Sequence, residues 1–119
     1  MEYKNVEEGV SKLSILSSVQ IEHERWRRKN FPIQESWHSL VGMMEELGEL
    51  SHTHLKQVQN VRRDKDFDEE ARDALGDILI FMIGYANSRG YSLEEILKET
   101  WNRVKQRDWI KFPLNGKTK

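Results

Sequence analysis

The chain contains no cysteine, which excludes disulfides, thiolate metal sites and cysteine nucleophiles. Only two prolines and seven glycines punctuate its 119 residues, leaving room for long uninterrupted helices. Neither sign of charge dominates. Nineteen Lys and Arg against 20 Asp and Glu give a net charge of −1, so nothing draws the whole molecule to nucleic acid or to an acidic membrane. Long apolar runs are missing too: the longest low-charge stretch, Leu75 to Ala86, holds 12 residues and includes Asp77, too short to cross a bilayer. No cationic leader with an apolar core opens the sequence. These absences lead to the expectation of a soluble cytoplasmic protein forming one domain over residues 1–119, long enough to enclose a core.

What is present is patterned for helices. Val6, Val10, Leu13, Leu16 and Val19, with Trp26 later, keep helical spacing over a segment from about Val6 to Lys29. Asn30-Phe31-Pro32 ends it, because proline disfavours helix in the residue before it. A second helix is predicted from Ser36 to about Asn60, with Leu40, Met44, Leu47, Leu55 and Val58 along one side. The charged stretch Arg62 to Glu70 reads as a loop and then a helix start, its acidic residues suited to the positive end of the helix dipole. That third helix is predicted to stop at Arg89-Gly90. Ser92 and Glu95 fit a capping box for a last helix reaching about Trp109, before Pro113 and a tail expected to fray from Asn115. No useful strand-like alternation occurs. The expected fold is all-α, an antiparallel four-helix bundle-like arrangement. Apolar residues on more than one side of the helices, such as Leu79, Met82 and Ile83 beside Ile80 and Phe81, predict a homodimer or higher homo-oligomer.

Two stretches nearly repeat each other: Glu45-Glu46-Leu47-Gly48-Glu49-Leu50 and Asp73-Ala74-Leu75-Gly76-Asp77-Ile78. On a helix, residues three or four apart share a face, so Glu46 aligns with Glu49 and Asp73 with Asp77. The glycines are expected to let the two helices approach. Two acidic faces of this kind form the halves of an oxygen-lined cation site, which suits Mg²⁺ or Mn²⁺ over softer metals. Asp77 lies on an apolar stripe with Ala74, Ile80, Phe81 and Gly84, a costly place for a carboxylate unless a metal or a buried ion pair compensates it. Taken singly, each glutamate is better read as a solvated surface residue; the joint pattern favours a site. Other metal motifs fare worse. Glu49-x-x-His52 and Glu35-x-x-His38 resemble di-iron elements, yet both fall on one helix and the third helix has none. Asp64-x-Asp66-x-Asp68 lacks the glycine and closing glutamate of an EF-hand.

At these residues the chain resembles the MazG-like all-α nucleotide pyrophosphohydrolases, related to dimeric dUTPases and dCTP pyrophosphatases. Their hallmark is Glu-x-x-Glu on one helix and Glu-x-x-Asp on a later one. Glu46-Leu47-Gly48-Glu49 matches the first half and Asp77, within Gly76-Asp77-Ile78-Leu79-Ile80, the end of the second. The resemblance is strongest from Trp37 to Trp109. One departure is Ala74, where the family carries glutamate; Asp73 stands one position earlier, four residues from Asp77, as a replacement carboxylate. The resemblance implies Mg²⁺-dependent hydrolysis of a nucleoside triphosphate to the monophosphate and pyrophosphate. It implies Glu46, Glu49 and Asp77 as metal ligands and Asp73 as a less certain fourth. For Glu45 a supporting role, a general-base role and a plain surface position all stay open. The competing reading is a non-catalytic helical module that binds a nucleotide or a protein and has lost turnover through Ala74.

For substrate contacts, Lys56 and Lys105 are candidates for phosphate, alongside Arg103 and Arg107, and Trp37 and His38 for stacking on a base. Each also has an ordinary explanation, as a salt-bridging surface cation or as packing. The cluster Arg25, Arg27, Arg28 and Lys29 sits at a helix C-terminus, where cations are favoured anyway. Neither membrane association nor stable nucleic-acid binding is expected.

Overall fold

Side-chain caps from Ser14, Asp66 and Ser92 open three of the helices. The computed structural model describes residues 13–117. Among them are four helices: α1, Ile15–Asn30; α2, Ser36–Gln59; α3, Phe67–Arg89; and α4, Leu93–Val104. No strand occurs among the described residues, and none of the helices is long and apolar enough to cross a membrane.

Helix α1 starts later than its apolar spacing predicts. Ser14 is its N-cap, accepting a hydrogen bond from the Ser17 amide, so Leu13 and Ser14 precede the helix; Val6 and Val10 lie outside the described residues. Helix α2 opens with the Glu35 amide donating to His38 Nδ1 at 2.9 Å. The Glu35-x-x-His38 pair is therefore engaged at a helix start. Asn60 closes α2 in the left-handed region at φ 58°, a conformation Asn tolerates. Asp66 caps α3 by accepting from the Glu69 amide. Gly90, at φ 70°, ends α3, with the Tyr91 amide reaching back to the Ala86 carbonyl at 2.8 Å. Ser92 caps α4 through the Glu95 amide, as the capping-box pattern predicts.

The last helix is shorter than predicted, ending at Val104 rather than near Trp109. The Asp108 amide donates to the Gly116 carbonyl at 2.9 Å instead of back to Val104. The carboxylate of Asp108 accepts from the Ile110 and Lys111 amides at 3.1 and 2.9 Å, offering those donors an alternative to the helix. Residues 115–117 also differ from a frayed tail. Gly116 is buried and exchanges backbone hydrogen bonds with Asp108 and Phe112.

Helices α2 and α3 form an antiparallel hairpin that dominates the tertiary contacts. A Cβ on Gly42 would run into the Phe81 ring, and one on Gly84 would lie 2.9 Å from Ser39 Oγ. These two glycines set the close approach. Gly48 and Gly76, expected to do so, have nothing within 4 Å of an added Cβ, because both lie off the line along which the two helices touch.

Helix α1 lies across α3 and is tied to the α3–α4 corner by polar groups. The buried Gln20 side chain donates to Asn87 Oδ1 and the Tyr91 carbonyl, both at 2.9 Å, and accepts from the Leu93 amide at 2.8 Å. Asn87 returns a bond to the Gln20 carbonyl. Glu94 accepts from Ser17 Oγ at 2.7 Å and Ser14 Oγ at 2.9 Å, fastening the start of α4 to the start of α1. Buried apolar side chains among the described residues are only Ala74, Ile83 and Ala86.

Candidate functional site

The two echoed sequence motifs meet across the hairpin. Gly42 faces Phe81 and Gly84 faces Ser39, while Thr53 Oγ1 donates to Glu70 at 3.3 Å. All three pairings belong to one antiparallel register. Carried along the hairpin, that register sets Glu46 opposite Asp77 and Glu49 opposite Ala74. Ala74 is buried and Glu46 half-buried, so α2 closes on α3 there without a large side chain between them.

Between the helices runs an open groove of about 520 Å³. Glu45, Glu46, Glu49, Asp73 and Asp77 all line it, joined by Glu70. Carboxylate oxygens of Glu45, Glu46 and Glu49 lie within 4.8 Å of one another. Neither Lys nor Arg lines the groove, and among the described residues none of these carboxylates forms an ion pair. The electrostatic consequence falls on Glu46: burial first, then the charges of Glu49 and Asp77, push its carboxyl above its ordinary value. Carboxylates gathered this closely without a cation repel one another, and a divalent cation between them would reverse the sign of that interaction. Six acidic groups offer oxygen ligands alone, apart from His52 at the rim. That donor set fits a hard divalent ion.

Asp77 is exposed on the groove. It escapes the desolvation expected of a carboxylate on an apolar stripe because the stripe divides: Ala74, Phe81 and Gly84 turn toward α2 while Ile80 remains exposed. The buried ion pair weighed for Asp77 is absent among the described residues.

The candidates for substrate contact do not gather here. Lys56 Nζ bonds Gln59 Oε1 at 3.2 Å along its own helix. Trp37 and His38 stack on each other, centroids 3.9 Å apart, at the start of α2. Trp37 lines a separate groove of about 680 Å³ with Arg27 and Tyr85. Lys105 is exposed at the end of α4, which packs on α1.

Two groups in the groove escaped the sequence reading, Glu70 and Thr53. Glu70 carried a usable signal, since it precedes Asp73 by three residues and Asp77 by seven and so shares their helix face. Thr53 carried none, because its role depends on α3 lying opposite. Compared with known families, curated proteins and solved structures, the chain matches none.

Proposed function

We infer that the α2–α3 groove binds divalent cations, Mg²⁺ or Mn²⁺, and that the protein hydrolyses a nucleoside triphosphate to the monophosphate and pyrophosphate. The observation that carries this reading is Glu46 set opposite Asp77, with Glu45, Glu49, Glu70 and Asp73 around the same groove and no basic side chain among them. A groove so charged repels a bare triphosphate. With metal bound it becomes a phosphate site, and the metal supplies charge neutralisation and an acidified water. Glu46, Glu49 and Asp77 would hold the ion, with Asp73 in place of the carboxylate that Ala74 lacks. The similarity to the MazG-like group in the two motifs supports the substrate class.

The test is pyrophosphate release from a panel of canonical and modified triphosphates with Mg²⁺ or Mn²⁺. Turnover should appear with one or more of them and fall by a factor of about 10² or more in Glu49→Gln and Asp77→Asn chains that keep their helical circular dichroism. One observation favours the second reading: Ala74 stands opposite Glu49, where a further ligand would be most useful. If no triphosphate is turned over while nucleotides still raise the melting temperature, the protein is a binding module, and Ala74→Glu is the variant with which to look for restored turnover.

A further inference from the structure

After α4 the chain closes a compact loop and leaves its tip bare. The Asp108 amide donates to the Gly116 carbonyl at 2.9 Å, the Gly116 amide to the Phe112 carbonyl and the Phe112 amide to the Asp108 carbonyl, both at 2.8 Å. Gly116 has φ 72°, and a Cβ there would lie 2.9 Å from Arg107 Cβ and 3.0 Å from the Trp109 ring. Ends joined in this way make an Ω-loop, a compact surface element packed by its own residues. Ile110 and Leu114 stand on it, each 97% exposed, the barest large apolar side chains among the described residues. Within the chain, two aliphatic side chains held out into water contribute nothing to stability.

Positive charge gathers at the same place. From Arg103 to Lys117 the chain carries Arg103, Lys105, Arg107, Lys111 and Lys117 against Asp108 alone. The net charge of −1 conceals this, because all but one of the 20 acidic residues lie elsewhere in the chain. None of the five cations forms an ion pair among the described residues. Cations and rings stand side by side: the Arg107 guanidinium is 6.0 Å from the centre of the Trp109 ring, and Lys111 Nζ is 5.5 Å from that of Phe112. Trp109 is itself 53% exposed.

We propose that this loop docks on an anionic lipid surface, its tip entering the headgroup layer while the cations around it meet acidic lipid headgroups. Both halves of that chemistry are present on the loop. Aliphatic side chains at the acyl boundary lose their wet surface, a tryptophan ring settles at headgroup level, and Lys and Arg draw in acidic lipid. Neither signal is strong alone, and lasting attachment takes two of them together. Single-stranded nucleic acid fits less well, because its bases stack on rings and would leave Ile110 and Leu114 in water. The attachment is peripheral, since no helix is long and apolar enough to cross a membrane. It does not depend on what the carboxylates bind.

The test is co-sedimentation of the full chain with vesicles of phosphatidylcholine, alone or with about 30% phosphatidylserine, in about 0.1 M salt. Binding should appear on the acidic vesicles, be about tenfold weaker or more on the neutral ones, and fall in about 0.5 M salt. Ile110→Ser combined with Leu114→Ser should weaken it about tenfold or more, because the groups removed are those that enter the lipid. Lys111→Glu should weaken it as well. Both aliphatic positions are bare, so the helical circular dichroism should not change; if the paired variant does not fold, Leu114→Ser alone decides. A wild type that stays in solution beside acidic vesicles would overturn the proposal. So would binding indifferent to Ile110 and Leu114, or a single-stranded oligonucleotide held more tightly than the vesicles. If vesicles are ignored and the same variants change the mass in light scattering, the loop faces another copy of the chain instead.

Discussion

Glu46 and Asp77 oppose each other across the α2–α3 hairpin, and the negative charge of Asp77 helps hold the Glu46 carboxyl above its ordinary value. The sign of the linkage is definite. A carboxyl whose value is raised in the folded chain favours folding at low pH, and that contribution is lost as pH rises from the unfolded value through the folded one. Replacing Glu46 by Gln is therefore expected to raise the neutral-pH melting temperature of metal-free protein and to leave it nearly unchanged at pH 4. Adding Mg²⁺ should stabilise the wild type and do so less in Glu46→Gln. Thermal melts with chelator and with Mg²⁺ check this; equal Mg²⁺ shifts in both chains would remove Glu46 from the cation site.

The opposite linkage operates at Glu94. Hydrogen bonds from Ser17 and Ser14, and then from Lys98, hold its carboxyl down to about 2. Stability from a depressed carboxyl is complete above its unfolded value of about 4.5 and is lost as pH falls toward the folded one. Helix α4 should therefore loosen from α1 between pH 4.5 and pH 2, ahead of the α2–α3 hairpin. Hydrogen exchange would show amides of α4 losing protection first, and Glu94→Ala should bring that early loss to neutral pH. Uniform loss across all four helices would contradict it.

Glycine substitutions separate packed from open positions. Gly42→Ala forces a methyl group into the Phe81 ring and should cost about 1–3 kcal/mol. Gly76→Ala meets nothing within 4 Å and should gain about 0.5–1 kcal/mol from helix propensity alone. Denaturant unfolding of the two variants should move in opposite directions.

Removing Gln20 should be expensive for a polar residue. Gln20→Ala strips partners from the Leu93 amide and from Asn87, and unsatisfied buried groups cost about 1–3 kcal/mol each. A loss of about 2–4 kcal/mol is expected, again by denaturant unfolding. A loss below about 0.5 kcal/mol would show the corner of α1, α3 and α4 to be held by something else.

Much of this molecule was legible locally. Ser92 before Glu95, Gly90 after Arg89 and the acidic run Asp68, Glu69 and Glu70 each marked a helix terminus, because capping and dipole effects act within a turn of the helix end. Where local signals competed, the reading failed. Apolar spacing ran through Ser14 and Asp108, yet at both places a side-chain oxygen takes up backbone amides and shapes the chain.

The sequence by itself determined the four helices of the described residues and the two acidic motifs, since capping and three-to-four-residue spacing act within a single turn. Only tertiary structure decided that Glu46 faces Asp77, that Gly42 and Gly84 rather than Gly48 and Gly76 carry the contact, and that Glu70 and Thr53 join the groove. It also decided that the apolar side of α2 points outward. A helical wheel gives the angle between faces but not which one is turned toward a neighbour, and that choice rests on the register in which Phe81 finds Gly42.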